Sequence, residues 1–479
     1  MVVRAPVALA ALTRISVTVV VMTTVAGCVY FNALYNSQRL FNRGRKQIEA
    51  GNEATGRSTL GISIEKAERI LDRSPDSRWA DDALSLIVRA RLLREEWEEA
   101  AQSSRRLLQM AATPRDSARA AGYLGIAEGQ LGNPELADSL ITMALTVAKD
   151  RDERAALLLH RGRARLALDR LAEADEDLQA VSRLKKNWIT PRLGRVDLLA
   201  RTEQFDEAAD EFARVLEVGT RAPEEQAVVE AAERLATGSA QTALRALAEL
   251  ESANLRSANL ARLMKLRGDL RVRVGKPEEG KADYRRTIEI APNSAAAVDA
   301  YYEQARLELE GAAWPDDLEG PRVLLERAVR IPRARTVLEL HDLLKAVRRS
   351  EYWIRLGDLG YMAAAEAARD EMRAPALARY LFLEYARKKP DDLWAAKAIL
   401  AALDLTSVDS GPRSDGAVEE PTREELQRWL REDYQGTAYV QAILGGNSAE
   451  FTYEELETGL RRHLQRLVRL ADQELTRRR

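Results

Sequence analysis

The sequence predicts an all-α chain assembled as an array of stacked helix hairpins. Its composition points that way, with 31% charged and only 5% aromatic residues and with Ala, Leu, Arg and Glu dominant. That is the bias of amphipathic helices rather than of sheets. Its length is a second constraint, because 479 residues exceed the about 250 to 300 at which one compact core stops growing. The third observation is a segment that recurs every 34 to 37 residues. An elongating array satisfies all three.

Charge narrows the partners. Lys and Arg total 73 against 75 Asp and Glu, a formal net charge of −2, so no basic field draws in a polyphosphate backbone and nucleic acid is not an expected partner. Cys28 is the single cysteine, which excludes an intramolecular disulfide and a thiolate metal cluster.

Arg4 and Arg14 are the only charges before a run from Ile15 to Ala26 that is apolar apart from Ser16, Thr18, Thr23 and Thr24. A positive start, a short apolar stretch and small residues before a cut site read as a secretory signal. The run is short against the about 20 residues a membrane-spanning helix needs. The cut site, Val25-Ala26-Gly27-Cys28, resembles the lipobox of bacterial lipoproteins. That resemblance implies cleavage before Cys28 and acylation of its thiol. Two or three acyl chains anchor stably where one binds only marginally. Val29 stands where many lipoproteins retained in the inner membrane carry an acidic residue. The resemblance therefore implies the outer membrane, with the body of the chain in the periplasm.

Behind Cys28, the residues Phe31, Leu34, Tyr35, Gln38 and Phe41 share one face of a helix. This stripe reads as packing onto the repeats behind it, or else as placing Tyr30 and Phe31 at the lipid interface. Either way almost no linker separates the lipid from the fold.

The recurring segment places a turn, a bulky residue or Pro, Glu and a small residue in that order, then apolar residues four and seven positions on. It appears at Glu96–Ala100, Gly132–Ala137, Arg170–Ala174 and Gln204–Ala208, less regularly at Ala243, and again at Lys276–Gly280. Gly125, Gly162 and Gly268 each stand twelve residues before a small position, where closely crossing helices have no room for a side chain. Pro75, Pro292 and Pro390 follow second helices and end them, because proline cannot continue the hydrogen-bond ladder.

This pattern resembles the tetratricopeptide repeat. Gly125, Ala137, Ile141 and Ala144 match one unit, and Gly162, Ala174, Leu178 and Val181 the next. Gly268, Gly280, Tyr284 and Pro292 match another, and Ala378, Phe382, Tyr385 and Pro390 a late one. The resemblance implies an α-α superhelical solenoid of antiparallel hairpins. The run from Asp72 to Ala83 is similar to repeats of outer-membrane-assembly lipoproteins of the BamD type. Departures occur too: Gly311 to Gly320 reads as a long loop, and several units carry Val or Glu where the first-helix glycine belongs.

The expected organisation is a signal peptide over residues 1–27, a lipidated N-terminus and first helix over 28–43, the solenoid over 44–405, a linker over 406–422 and a C-terminal helical segment over 423–479. In that last segment Arg423 to Glu432 and Tyr453 to Arg477 read as helices. The second carries Leu456, Leu460, Leu464, Leu467 and Leu470 on one face, as a cap over the solenoid or as a partner-binding helix.

Chemistry finds no foothold in the sequence. His160, His341 and His463 fall in separate predicted helices without metal-ligand spacing. The acid pairs Asp81-Asp82 and Asp391-Asp392 read as helix-start residues. The expectation is a protein without catalytic residues, metal or cofactor, and so not an enzyme. Aligning the units places Arg89, Arg163, Asp197, Lys265, Asp269 and Arg273 towards the surface lined by the first helices. There they either select an extended or helical peptide or pair among themselves. The functional expectation is a membrane-anchored periplasmic scaffold that binds envelope proteins or peptides, with outer-membrane protein assembly as its most specific form. The alternative is an adaptor or regulator of a secretion, polysaccharide-export or peptidoglycan system.

Overall fold

A computed structural model of the protein describes residues 32–73, 75, 77, 79–220, 224–405, 421–444 and 451–477. Cys28, the lipobox residues Val25, Ala26 and Gly27, the pair Tyr30 and Phe31, and most of the expected linker lie outside the described residues. Every regular element among the described residues is helical, and the chain forms two compact units that divide between Arg256 and Ser257.

The first unit begins with α1 (residues 32–49), followed by α2 (Glu53–Arg73), α3 (Ala80–Arg94), α4 (Trp97–Met110), α5 (Pro114–Gln130) and α6 (Pro134–Leu145). It continues through α7 (Arg151–Ala167), α8 (Leu171–Leu184), α9 (Ile189–Arg201), α10 (Phe205–Val218), α11 (Glu225–Gly238) and α12 (Ala240–Ala246). Consecutive helices pack together, and α3, α5, α7, α9 and α11 also touch one another in turn. The odd-numbered helices thus form one layer and the even-numbered ones a second, which is the build of a hairpin solenoid.

Helix α1 belongs to this array. Ser63 Oγ donates to the Ser37 carbonyl at 2.7 Å, and a methyl group on Gly56 would stand only 2.9 Å from the Gly44 carbonyl. Gly44 and Gly56 are therefore the crossing residues of a first hairpin, twelve positions apart like the others. One continuous helix runs through the expected division at residues 43 and 44.

The second unit contains α13 (Ser257–Arg273), α14 (Pro277–Ile290), α15 (Ala295–Glu310), α16 (Glu319–Val329), α17 (Leu338–Leu356) and α18 (Leu359–Asp370). It is completed by α19 (Pro375–Lys388), α20 (Ala395–Asp404), α21 (Arg423–Glu432), α22 (Ala438–Leu444) and α23 (Tyr453–Arg477). The expected loop at Gly311 to Gly320 is pinned rather than free. Its Asp317 carboxylate accepts the N–H groups of Ala313 and Trp314 at 2.9 Å, and the Trp314 ring stands edge-on to Tyr380 at 4.9 Å.

Helix α23 packs on α17 and α18. Leu456 and Leu460 are buried, while Leu470 is 42% exposed. The ring N–H groups of Trp353 and Trp394 donate to the Leu467 and Leu456 carbonyls at 3.1 Å, and Arg349 holds Asp472 at 2.7 Å. Its apolar stripe is used inside the second unit.

Two devices recur along the hairpins. Gly51, Glu95, Gly132, Asp169, Glu203, Gly275 and Arg373 all have positive φ, from 54° to 87°, and each stands five residues before the small residue of its second helix. In all of them but Arg373 the following residue donates its N–H to the carbonyl five positions back, as in Glu96 to Arg91 at 3.0 Å and Gln204 to Leu199 at 2.8 Å, and after Arg373 the bond from Ala374 runs to Ala368. That bond closes the last turn of the first helix.

The second device is a buried ion clasp. Asp177 on α8, Glu211 on α10 and Asp283 on α14 stand three residues after the small position and are buried. Arg161 and Arg165 reach Asp177 at 2.6 and 3.0 Å. Arg192 and Arg195 reach Glu211 at 2.8 and 2.9 Å, and Arg267 and Arg271 both reach Asp283 at 2.8 Å. In each hairpin two guanidinium groups of the first helix hold one carboxylate of the second, so the buried carboxylate is compensated away from water.

Candidate functional site

The layer of odd-numbered helices in the first unit borders a groove of about 940 Å³. Because each helix enters the layer in the same register, lining residues repeat with the hairpin. Asp82, Arg119 and Ala156 step by 37 residues, as do Leu86, Tyr123 and His160. The groove has an apolar bed, with Phe41 and Leu34 from α1, Leu86 from α3, Ile126 from α5 and Leu157 from α7, and Trp97 beside them.

Its polar groups are fixed by neighbours. Asp150 caps α7, accepting the N–H groups of Asp152 and Glu153 at 3.0 and 2.8 Å, and all three border the groove. Arg119 on α5 faces Glu153 at 3.4 Å. The Arg89 guanidinium lies over the Phe41 ring, 4.6 Å from its centroid. This contact satisfies the cation without a carboxylate and leaves its N–H donors to a ligand.

Burial sets the protonation of the lining. It pushes the Tyr123 phenol above its ordinary range, with Arg89 opposing. Burial and then the Asp81 charge raise the Asp82 carboxyl. Burial, followed by the charge of Arg163, pulls His160 down to about 4, so the imidazole is neutral at pH 7 and serves as a hydrogen-bonding group rather than a cation.

Of the residues singled out from sequence, Arg89 lines this groove. Arg163 lies one turn beyond His160 on α7 and is exposed. Asp197 is bound to Arg234 of α11 at 2.8 Å. In the second unit Lys265 and Asp269 pair with each other at 2.8 Å, and Asp269 also accepts the Tyr284 hydroxyl at 2.8 Å. Arg273 stands exposed on the last turn of α13. The six charges do not converge on one site. Tyr123, Arg119, Glu153 and His160 were missed by sequence reasoning, although reading one and two turns back from Arg89 with the 37-residue step reaches Asp82, Leu86, Arg119, Tyr123 and His160. No metal-binding cluster of His, Cys, Asp and Glu occurs among the described residues, nor does any helix long and apolar enough to cross a membrane.

Hairpins recurring every 34 to 37 residues from Ala100 to Gly280, small residues at the Gly44, Gly125, Gly162 and Gly268 crossings and a groove bordered by alternate helices define the class: an all-α helix-hairpin solenoid of the tetratricopeptide kind. No protein-family model matches the chain, and no curated protein matches it. Among solved structures it is similar to a tetratricopeptide repeat protein from Parabacteroides merdae, at 15% identity, covering 53% of this chain and 93% of that one with a TM-score of 0.33. It is also similar to the C-terminal part of a repeat-containing protein from Cytophaga hutchinsonii, at 11% identity over 66% and 98% of the two chains with a TM-score of 0.35. A third likeness is to the tetratricopeptide domain of P58(IPK), at 19% identity over 74% and 99% with a TM-score of 0.21.

Proposed function

We propose that this chain is a lipid-anchored scaffold of the bacterial cell envelope whose first unit holds a segment of a partner protein in its groove. The observation that carries the reading is the groove itself. An apolar bed for side chains is combined with placed donors and acceptors at Arg89, Tyr123 and His160, the combination that anchors a peptide and fixes its register. Val25-Ala26-Gly27-Cys28 supplies the anchor, at the outer membrane with the body in the periplasm. Outer-membrane protein assembly is the pathway we assign, on the similarity of the Asp72 to Ala83 run to assembly lipoproteins.

Affinity capture from crosslinked envelopes tests the pathway, comparing the wild-type chain with a Ser85→Trp variant whose groove is filled. Barrel-assembly components recovered by the wild type and lost by the variant support it. Their consistent absence from both contradicts the assembly reading. For the anchor, Cys28→Ala is expected to remove the acyl mass and leave uncleaved precursor, and normal cleavage with membrane retention would refute it.

A further inference from the structure

The outer face of α1 concentrates positive charge in a nearly neutral chain. It borders a shallow depression of about 500 Å³ whose lining holds three cations, Arg39, Arg43 and Lys46, with Gln38, Asn42 and the ring of Tyr35, and no carboxylate. The cations follow one another at i, i+4 and i+7, so they form a single stripe about 10 Å long. Glu49, the one acidic residue of the helix, is engaged by Arg45 at 3.7 Å. The opposite face of the same helix is occupied by the fold, since Phe41 is 2% exposed. Tyr35 is 59% exposed beside the stripe, an amphipathic ring of the kind favoured at membrane interfaces. Cys28 precedes residue 32 by only four positions, a reach of at most about 14 Å for an extended chain.

We propose that this face of α1 rests on the anionic phospholipid surface to which the acyl chains of Cys28 attach the protein, with lipid phosphates accepting hydrogen bonds from Arg39, Arg43 and Lys46. The inference rests on the anchor reading of Cys28. It deepens that reading, because a basic stripe beside the lipid fixes how the first hairpin is presented at the bilayer. Each basic residue at an anionic leaflet contributes about fivefold in affinity, and the contribution falls with salt.

The test uses the full chain carrying Cys28→Ala, mixed with vesicles of phosphatidylcholine alone or of phosphatidylcholine with phosphatidylglycerol. The apolar run at residues 15–26 contributes to both, and Arg4 and Arg14 of the uncleaved segment are carried by every variant, so the change in the ratio on reversing the α1 charges reads the charged face. The expected ratio is about tenfold or more at low salt and falls at high salt, and Arg39→Glu/Arg43→Glu/Lys46→Glu is expected to lower it by about tenfold or more. The same reversal at Arg462, Arg466 and Arg469, exposed on α23, is expected to preserve the ratio, with unchanged helical circular dichroism showing both variants folded. A ratio near one, or a ratio unmoved by the α1 reversal, overturns the proposal. Abolition of the ratio by inorganic phosphate at matched ionic strength also overturns it, by assigning the face to free phosphate. The acyl mass on Cys28 of the wild-type protein is read separately. Its absence with the vesicle ratio intact sinks the anchor reading and leaves the anionic-surface site.

Discussion

Arg267 and Asp283 meet at 2.8 Å across the α13 and α14 hairpin, with 5% and 3% of their side chains exposed. An ion pair so far from water is costly to form and much costlier to break, because the surviving charge has nowhere to go. Asp283→Ala is therefore expected to destabilise the second unit by about 3 to 5 kcal/mol, whereas replacing both residues by apolar ones of similar volume costs far less. Hydrogen-exchange protection of α13 and α14 reads this, and equal losses in the single and double variants would contradict the clasp.

Glu203 occupies the left-handed position of its turn with φ 58°, where Gly132 and Gly275 serve in sister hairpins. A residue with a Cβ pays about 1 kcal/mol there. Glu203→Gly is expected to raise stability by about that much in denaturant titration, and Gly132→Val to lower it. A destabilised Glu203→Gly would show that the turn is not the source of the repeat's geometry.

Crossing glycines differ in how much they matter. A methyl on Gly268 would stand 2.7 and 2.9 Å from Tyr284 ring carbons, while one on Gly162 meets Leu178 no closer than 3.3 Å. Gly268→Ala is expected to cost about 1 to 3 kcal/mol through overpacking. Gly162→Ala is expected to be near neutral, since the helix propensity of Ala offsets the crowding. Thermal unfolding of the two variants ranks them.

His160 gives the groove a pH signature. Its ordinary value of 6.5 is lowered to about 4, by burial first and by the Arg163 charge second. Above 6.5 the ring is neutral in both folded and unfolded states and contributes no slope. Between 6.5 and about 4 the unfolded chain binds the proton first, so stability falls as pH falls, and below about 4 the loss is complete. An NMR titration of the His160 ring is expected to have its midpoint near the lower value. His160→Gln is expected to flatten the wild-type slope across that window, and an ordinary midpoint would contradict the desolvation of the ring in the groove.

The hairpin stack was legible because its signals are local. Small residues twelve positions apart mark the crossings at Gly125, Gly162 and Gly268, and the ends of α21 and α23 follow from apolar periodicity. The same spacing at Gly44 and Gly56 shows that α1 is half of a hairpin, a signal masked by the aromatic stripe of Phe31, Leu34, Tyr35 and Phe41. The clasps at Asp177, Glu211 and Asp283 were not legible, since a carboxylate on an amphipathic helix looks solvated until its partners from the neighbouring helix are known. The groove was half legible. Arg89 was reached by alignment, but Asp197 and Lys265 occupy related inner-face positions and are consumed by Arg234 and Asp269. Pairing depends on side-chain reach across helices, which one-dimensional spacing does not carry.

The central claim is that the groove of the first unit is where a partner protein sits. A photo-crosslinking side chain placed at Tyr123, which lines the groove, is compared in intact cells with one at Met143, 45% exposed on α6. The expected result is a discrete adduct from Tyr123 that Ser85→Trp abolishes, with none from Met143. The same adducts from both positions, or an adduct from Tyr123 that survives the filled groove, would contradict the account.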